Sequence, residues 1–108
     1  MTERRELLGH LEAYYRSCGW PVERAEDGTV RAQGAAGVTW IGLPVVPADF
    51  TDDLATRLVE LSDIRMPGGE RCPLELLPAS ECEVQVRLLL AELGLGDLVS
   101  VYSVAAAA

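Results

Sequence analysis

Lysine is absent from this chain, histidine and phenylalanine occur once each, cysteine occurs three times, and no apolar run is longer than a few residues. Without lysine a P-loop cannot be written, and the glycines at 34, 37, 42, 68 and 69 do not fall into a G-x-G-x-x-G pattern either. His10 by itself cannot build a His-based triad or a multi-histidine metal centre within one chain. It lies beside the leucine stripe of the first expected helix and reads as a surface or edge histidine. Cys18, Cys72 and Cys82 are an odd number with no C-x-x-C spacing, so neither a disulfide framework nor a zinc knuckle is indicated, and reduced, mostly buried thiols are expected. Short apolar runs and the lack of a leader-like stretch before the first helix predict no membrane span and a cytoplasmic location.

Positive charge is also scarce. Nine arginines face seventeen acidic residues, for a formal charge of −8. That balance repels a phosphate backbone, so nucleic acid is not an expected partner, whereas a protein with a basic face is. What the chain does have is 49% apolar against 24% charged residues over 108 positions, which fits a single globular domain spanning 1–108. A domain of this size buries roughly two thirds of its unfolded surface and needs no staple.

Leu7, Leu11, Tyr14 or Tyr15 and Cys18 recur at helical spacing from Glu3 to Cys18, and Gly19 and Pro21 supply the stop. Trp20–Arg24 and Thr29–Gln33 flank Glu26-Asp27-Gly28, a hairpin signal because glycine accepts positive φ. Val38–Leu43 is β-branched and aromatic and predicts a buried strand, bounded by Pro44 and Pro47. Residues 49–66 carry Phe50, Leu54, Leu58, Leu61 and Ile64 or Arg65 on one stripe and predict a second helix, ended by Pro67-Gly68-Gly69. Arg71–Leu77 predicts a strand ending at Pro78.

Residues 81–88 alternate like a strand, but Ser80-x-x-Glu83 has the form of a capping box and Leu88–Leu93 are helix formers, so a helix is predicted, apolar at 84, 88, 91 and 95. Leu98–Val104 returns to a strand pattern, and Ala105–Ala108 reads as a helix start or a flexible tail. The expected fold is α/β: a βαβαβ core with parallel strands, preceded by an N-terminal helix and a β-hairpin, giving a mixed sheet of three or more strands.

Asp49, Asp52 and Asp53 are the densest acidic group, and three carboxylates are able to hold Mg²⁺ or a basic partner. At a helix start the same residues cap free N–H groups, and this structural role is the stronger reading. Thr51 is both a cap hydroxyl and a candidate phosphoacceptor. Tyr14, Tyr15, Trp20, Trp40 and Tyr102 lack interleaved basic residues and read as core and interface groups. No residue set predicts a catalytic centre, a cofactor or a metal site.

Gly68-Gly69, Cys72-Pro73-Leu74-Glu75-Leu76-Leu77, Val84–Leu95 and Asp97–Ala105 resemble the closing half of STAS domains, the anti-sigma-factor antagonist family. Leu93-Gly94-Leu95 stands where that family has a Leu-x-Gly-Leu-like run. The resemblance implies a module that switches a protein partner, usually through a Ser or Thr at the start of the preceding helix, which by position is Thr51. The chain departs from the family in showing Phe50-Thr51-Asp52-Asp53-Leu54 in place of Asp-Ser-Ser/Thr-Gly-Leu, and in its opening helix and hairpin. Tyr14-Tyr15-x-x-x-Gly19-Trp20-Pro21-Val22 is similar to the opening of bifunctional primase-polymerase domains, but the acidic strand motif and basic template surface of those enzymes are missing.

The sequence therefore predicts a non-enzymatic regulatory or adaptor domain that binds a protein through Asp49, Phe50, Thr51, Asp52 and Asp53. A homodimer or assembly subunit pairing through the Leu98–Val104 edge is the alternative, and a metal-dependent enzyme ranks third.

Overall fold

The computed structural model describes residues 3–103. Helix α1 (Arg4–Ser17) leads into strands β1 (Val22–Arg24), β2 (Val30–Gln33) and β3 (Thr39–Val45), then α2 (Asp53–Ser62), β4 (Leu74–Pro78), α3 (Glu83–Glu92) and β5 (Val99–Val101). The strands form one mixed sheet in the order β1-β2-β3-β4-β5, antiparallel from β1 to β3 and parallel from β3 to β5. The expected α/β fold, a βαβαβ unit behind a helix and a hairpin, is the one observed. No helix among the described residues is long and apolar enough to cross a membrane.

Register parity separates the two faces of the sheet. Gly42 of β3 pairs with Val30 of β2 and with Glu75 of β4, so these three residues share a face, and Tyr15 and Leu11 of α1 pack directly over Gly42. Ile41, Leu43, Val45, Leu74 and Leu76 lie on the other face and are all buried. Right-handed crossovers put α2 and α3 together on that second face. Leu7, Leu11 and Tyr15 are the buried stripe of α1, and Leu54, Leu58 and Leu61 that of α2, as their spacing predicts.

At the hairpin Gly28 adopts φ +85° while the Asp27 carboxylate accepts hydrogen bonds from the Thr29 backbone N–H and hydroxyl. Burial works to raise the Asp27 pKa, but these bonds and Arg31 outweigh it and hold the carboxyl below its usual range.

Several boundaries differ from the sequence expectation for identifiable reasons. Pro44 lies inside β3 and does not end it. In β3 the N–H of Ile41 points to β4, donating to Pro73 O, so by alternation position 44 points toward β2. There β2 has already ended, at Val30 opposite Gly42, and no ladder bond is lost. Pro78 likewise pairs with Val45 within β4. The expected helix over 49–66 begins only at Asp53, after a short 3₁₀ turn at Pro47–Asp49, and ends at Ser62, so Asp49–Asp52 precede the helix and Ile64 follows it.

Residues 81–88 are helical, as predicted, but Ser80 provides no cap hydrogen bond, and the predicted apolar face of α3 is overturned. The helix buries Val86 and Leu90, with Cys82 just before it, and leaves Val84, Leu88 and Ala91 outside; of the predicted face only Leu95, past the helix end, is buried. Two apolar rows compete for the sheet, and the row continued by half-buried Leu89 and Leu93 wins. The last strand is shorter than Leu98–Val104, and the predicted tail at 105–108 lies outside the described residues.

Candidate functional site

The segment singled out by sequence, Asp49 to Asp53, connects β3 to α2 and does not act as one acidic cluster. Asp49 is turned inward. Its two carboxylate oxygens accept from Arg4 Nη2 at 2.6 Å and Nη1 at 3.0 Å, and Oδ2 also accepts from the Val46 backbone N–H at 2.8 Å. This clamp ties the start of α1 to the loop leaving β3, and it raises the Arg4 pKa through that hydrogen bond.

Phe50 is half-buried against the core. Thr51 is exposed and acts as a turn former: its hydroxyl accepts from the Asp53 N–H at 3.3 Å, and its carbonyl accepts from the Leu54 N–H at 3.1 Å. Asp52 and Asp53 are exposed. Asp49, Thr51 and Asp53 line a shallow pocket of about 220 Å³ with Ala48, Leu54 and Arg57, which Phe50 and Asp52 do not join. Among the described residues no three His, Cys, Asp or Glu side chains gather around a point where a metal ion would sit.

A polar cluster that sequence reasoning missed is built on Glu75, a carboxylate 2% exposed in the middle of β4. Its Oε1 accepts from the Tyr15 hydroxyl at 2.5 Å and its Oε2 from the Tyr102 hydroxyl, while the Tyr102 and Tyr14 oxygens lie 3.5 Å apart. Gly42 makes this possible, since a Cβ there would come within 3.0 Å of the Tyr15 hydroxyl. Burial first, and the neighbouring Glu75 second, push both phenols well above their ordinary range. The rings continue as a row, Tyr102, Tyr14, Tyr15, Trp20 and Trp40, with successive centroids 5.4 to 6.2 Å apart. The signal was present in the sequence, because a strand buried on both faces reads as continuously apolar and Glu75 interrupts Leu74-Glu75-Leu76-Leu77.

The second missed feature is the outer surface of the α2/α3 layer. Val84 is 70% exposed and Leu88 60%, on the side of α3 turned away from the sheet, and Val59 of α2 is 45% exposed. An open depression of about 410 Å³ lies along α2, lined by Ala55, Thr56, Val59 and Glu60 and by Leu93, the residue after α3. The sequence carried this signal too: apolar rows at 82, 86, 90 and at 84, 88, 91 give α3 two opposite apolar faces, separated by Glu83, Gln85, Arg87 and Glu92.

The thiols are free, with Cys18 exposed and Cys72 and Cys82 buried, and burial pushes the last two up in pKa, against activation as nucleophiles. Compared with family models, curated proteins and solved structures, the chain matches none of them.

Proposed function

We propose that this chain is a non-enzymatic regulatory or adaptor domain that works by binding another protein, and that the outer surface of its α2/α3 layer is the contact. The observation that carries this reading is α3 itself, whose inner row packs on the sheet while Val84 and Leu88 face solvent. Contiguous apolar surface on a small soluble domain marks interaction sites. The exposed acids Asp52 and Asp53 at the start of α2 add negative charge to the same layer and favour a partner with a basic face. The resemblance of residues 68–105 to STAS domains points to the same class of role, with Thr51 exposed where a modifying enzyme reaches it. Three free thiols agree with a reducing, cytoplasmic setting.

The test is capture from an extract of the native cells by the wild-type chain and by Val84→Glu/Leu88→Glu. A polypeptide retained by the first and lost with the second supports the reading, and recovery of none by the wild type overturns it. A homodimer is the second reading, favoured by the position of β5 at the sheet edge beside exposed Leu98. Sedimentation of the chain alone tests it.

A further inference from the structure

We infer that the rings of Tyr102, Tyr14, Tyr15, Trp20 and Trp40 form a path for one-electron oxidation, on which a radical settles at Tyr15 with Glu75 as the acceptor of its phenolic proton. This activity is separate from the protein contact proposed above. Successive centroids lie 5.4 to 6.2 Å apart, and Tyr15, Trp20 and Trp40 are stacked at 19° and 27°, so each π-system touches the next. The row also reaches solvent, with Tyr14 42% exposed and Trp20 and Trp40 half-buried. Tyr15, between them, is fully buried and donates its hydroxyl to Glu75 Oε1 at 2.5 Å. Tyr102 donates to the other oxygen and meets only Tyr14 in the row, so Tyr15 alone both contacts a tryptophan and bonds to Glu75.

Packing by itself does not call for this arrangement. Neither Gly34 nor Gly42 has the positive φ that favours glycine, yet a Cβ at either would strike the row, 2.6 Å from Trp40 Nε1 or 3.0 Å from the Tyr15 hydroxyl. Both positions give up a side chain where the rings lie against the backbone. Glu75 is a carboxylate in a place where an apolar residue would carry no desolvation penalty. What it has that an apolar residue or an amide lacks is basicity.

Loss of an electron turns a phenol into a strong acid, so tyrosine is oxidised most readily when a base already holds its hydroxyl. Here a one-electron oxidant at the surface, a peroxide-derived oxygen radical, takes an electron from Tyr15 along the row and is itself reduced by one electron. The Tyr15 O–H bond breaks and an O–H bond forms on Glu75 Oε1, leaving a neutral tyrosyl radical beside a neutral carboxyl group. Neither product leaves a charge in a site closed to water. Burial keeps the radical from the coupling reactions that join exposed tyrosines.

Flash photolysis of tris(bipyridine)ruthenium with persulfate supplies a one-electron oxidant to the intact chain, and transient absorption and EPR distinguish tryptophanyl from tyrosyl radicals. Expected is a tryptophanyl signal that passes into a tyrosyl signal, more slowly in heavy water because a proton moves with the electron. Tyr14→Phe should keep this transfer, since Trp20 meets Tyr15 directly, and Tyr15→Phe should reduce it at least tenfold while near-UV circular dichroism stays native. Glu75→Gln retains an oxygen acceptor with little basicity and should slow transfer at least tenfold. Rates in the wild type that do not change with buffer concentration identify an internal proton acceptor whether or not that variant folds.

A tryptophanyl radical that decays with no tyrosyl successor, or a tyrosyl signal lost in Tyr14→Phe and kept in Tyr15→Phe, would overturn the inference. So would transfer that quickens with buffer concentration, or a folded Glu75→Gln that reacts as fast as the wild type.

Discussion

Replacing Tyr15 with phenylalanine removes one oxygen from a fully buried ring and leaves its packing in place, so the variant reports on the bond to Glu75. That bond is 2.5 Å long, and its acceptor is 2% exposed, so no bulk water takes over when the hydroxyl is gone. A hydrogen bond to a charged group contributes about 1.5–3 kcal/mol, and in a domain of this size each kcal/mol moves the melting temperature by roughly 4–8 °C. Tyr15→Phe should therefore cost about 2 kcal/mol and lower the melting temperature by roughly 10 °C. Tyr102→Phe should cost less, because that ring is only part-buried.

Glu75→Met alone strands the Tyr15 hydroxyl and should also cost about 1–3 kcal/mol. The triple variant Tyr15→Phe/Tyr102→Phe/Glu75→Met removes donors and acceptor together and should be far more stable than the sum of the single losses predicts, because a matched apolar set replaces a desolvated charge. Urea unfolding of all four variants measures this. Additive losses, with the triple variant the least stable, would refute the account of Glu75 as a buried carboxylate held by two phenols.

The same cluster sets an alkaline limit. Both phenols are raised above their unfolded value of about 10, so the stability they contribute is complete below that pH and falls as pH rises past it. Unfolding free energies from urea titrations at pH 9 to 11.5 should fall more steeply for wild type than for Tyr15→Phe, by up to about 1.4 kcal/mol per pH unit, and parallel curves would contradict this. Gly42→Ala should cost about 1–3 kcal/mol, since its Cβ would stand 3.0–3.1 Å from Tyr15 and Leu11 atoms in a full core, and calorimetry reads the loss. Leu90→Ala should cost about 2–5 kcal/mol while Leu88→Ala stays within about 0.5, and thermal melts giving the reverse order would place the wrong face of α3 on the sheet. Asp49→Ala should destabilise by about 1–2 kcal/mol, read by urea titration, because it releases the Val46 N–H and Arg4 together.

What was legible in the sequence is what period and punctuation specify. The stripes Leu7, Leu11, Tyr15 and Leu54, Leu58, Leu61 admit only one burial pattern, and Asp27-Gly28 admits few turns, so α1, the hairpin and the buried stripe of α2, though not its ends, are where their residues place them. The alternation of β and α from residue 38 onward also carries the parallel order of β3, β4 and β5. What was not legible depends on neighbours. Pro44 is acceptable in a strand only because β2 stops short of it, a fact of register. Either row of α3 makes a good amphipathic face, and the sheet, not the helix, chooses between them. Asp49, Asp52 and Asp53 look alike in sequence, yet Arg4, 45 positions away, draws Asp49 inward and leaves the other two at the surface. Glu75 is conspicuous among apolar residues, but its partners come from α1 and from the end of β5, and nothing in the local pattern points to either.

The outer row of α3 is also informative about what the fold does not need. Val86 and Leu90 already hold the helix to the sheet, so glutamine at 84 and 88 would leave every core contact in place. Each of the two apolar side chains instead stands in water, where burial by a partner would return about 1.5–3 kcal/mol per residue. Folding stability gives no reason for apolar residues at these two positions, and solubility argues against them. The protein contact proposed above would give one. On the opposite face of the sheet the Glu75 cluster joins α1, β4 and the residue following β5. If the contact is made there as proposed, the helix needs no rearrangement to present Val84 and Leu88, and such preorganisation lowers the ordering cost that association must otherwise meet.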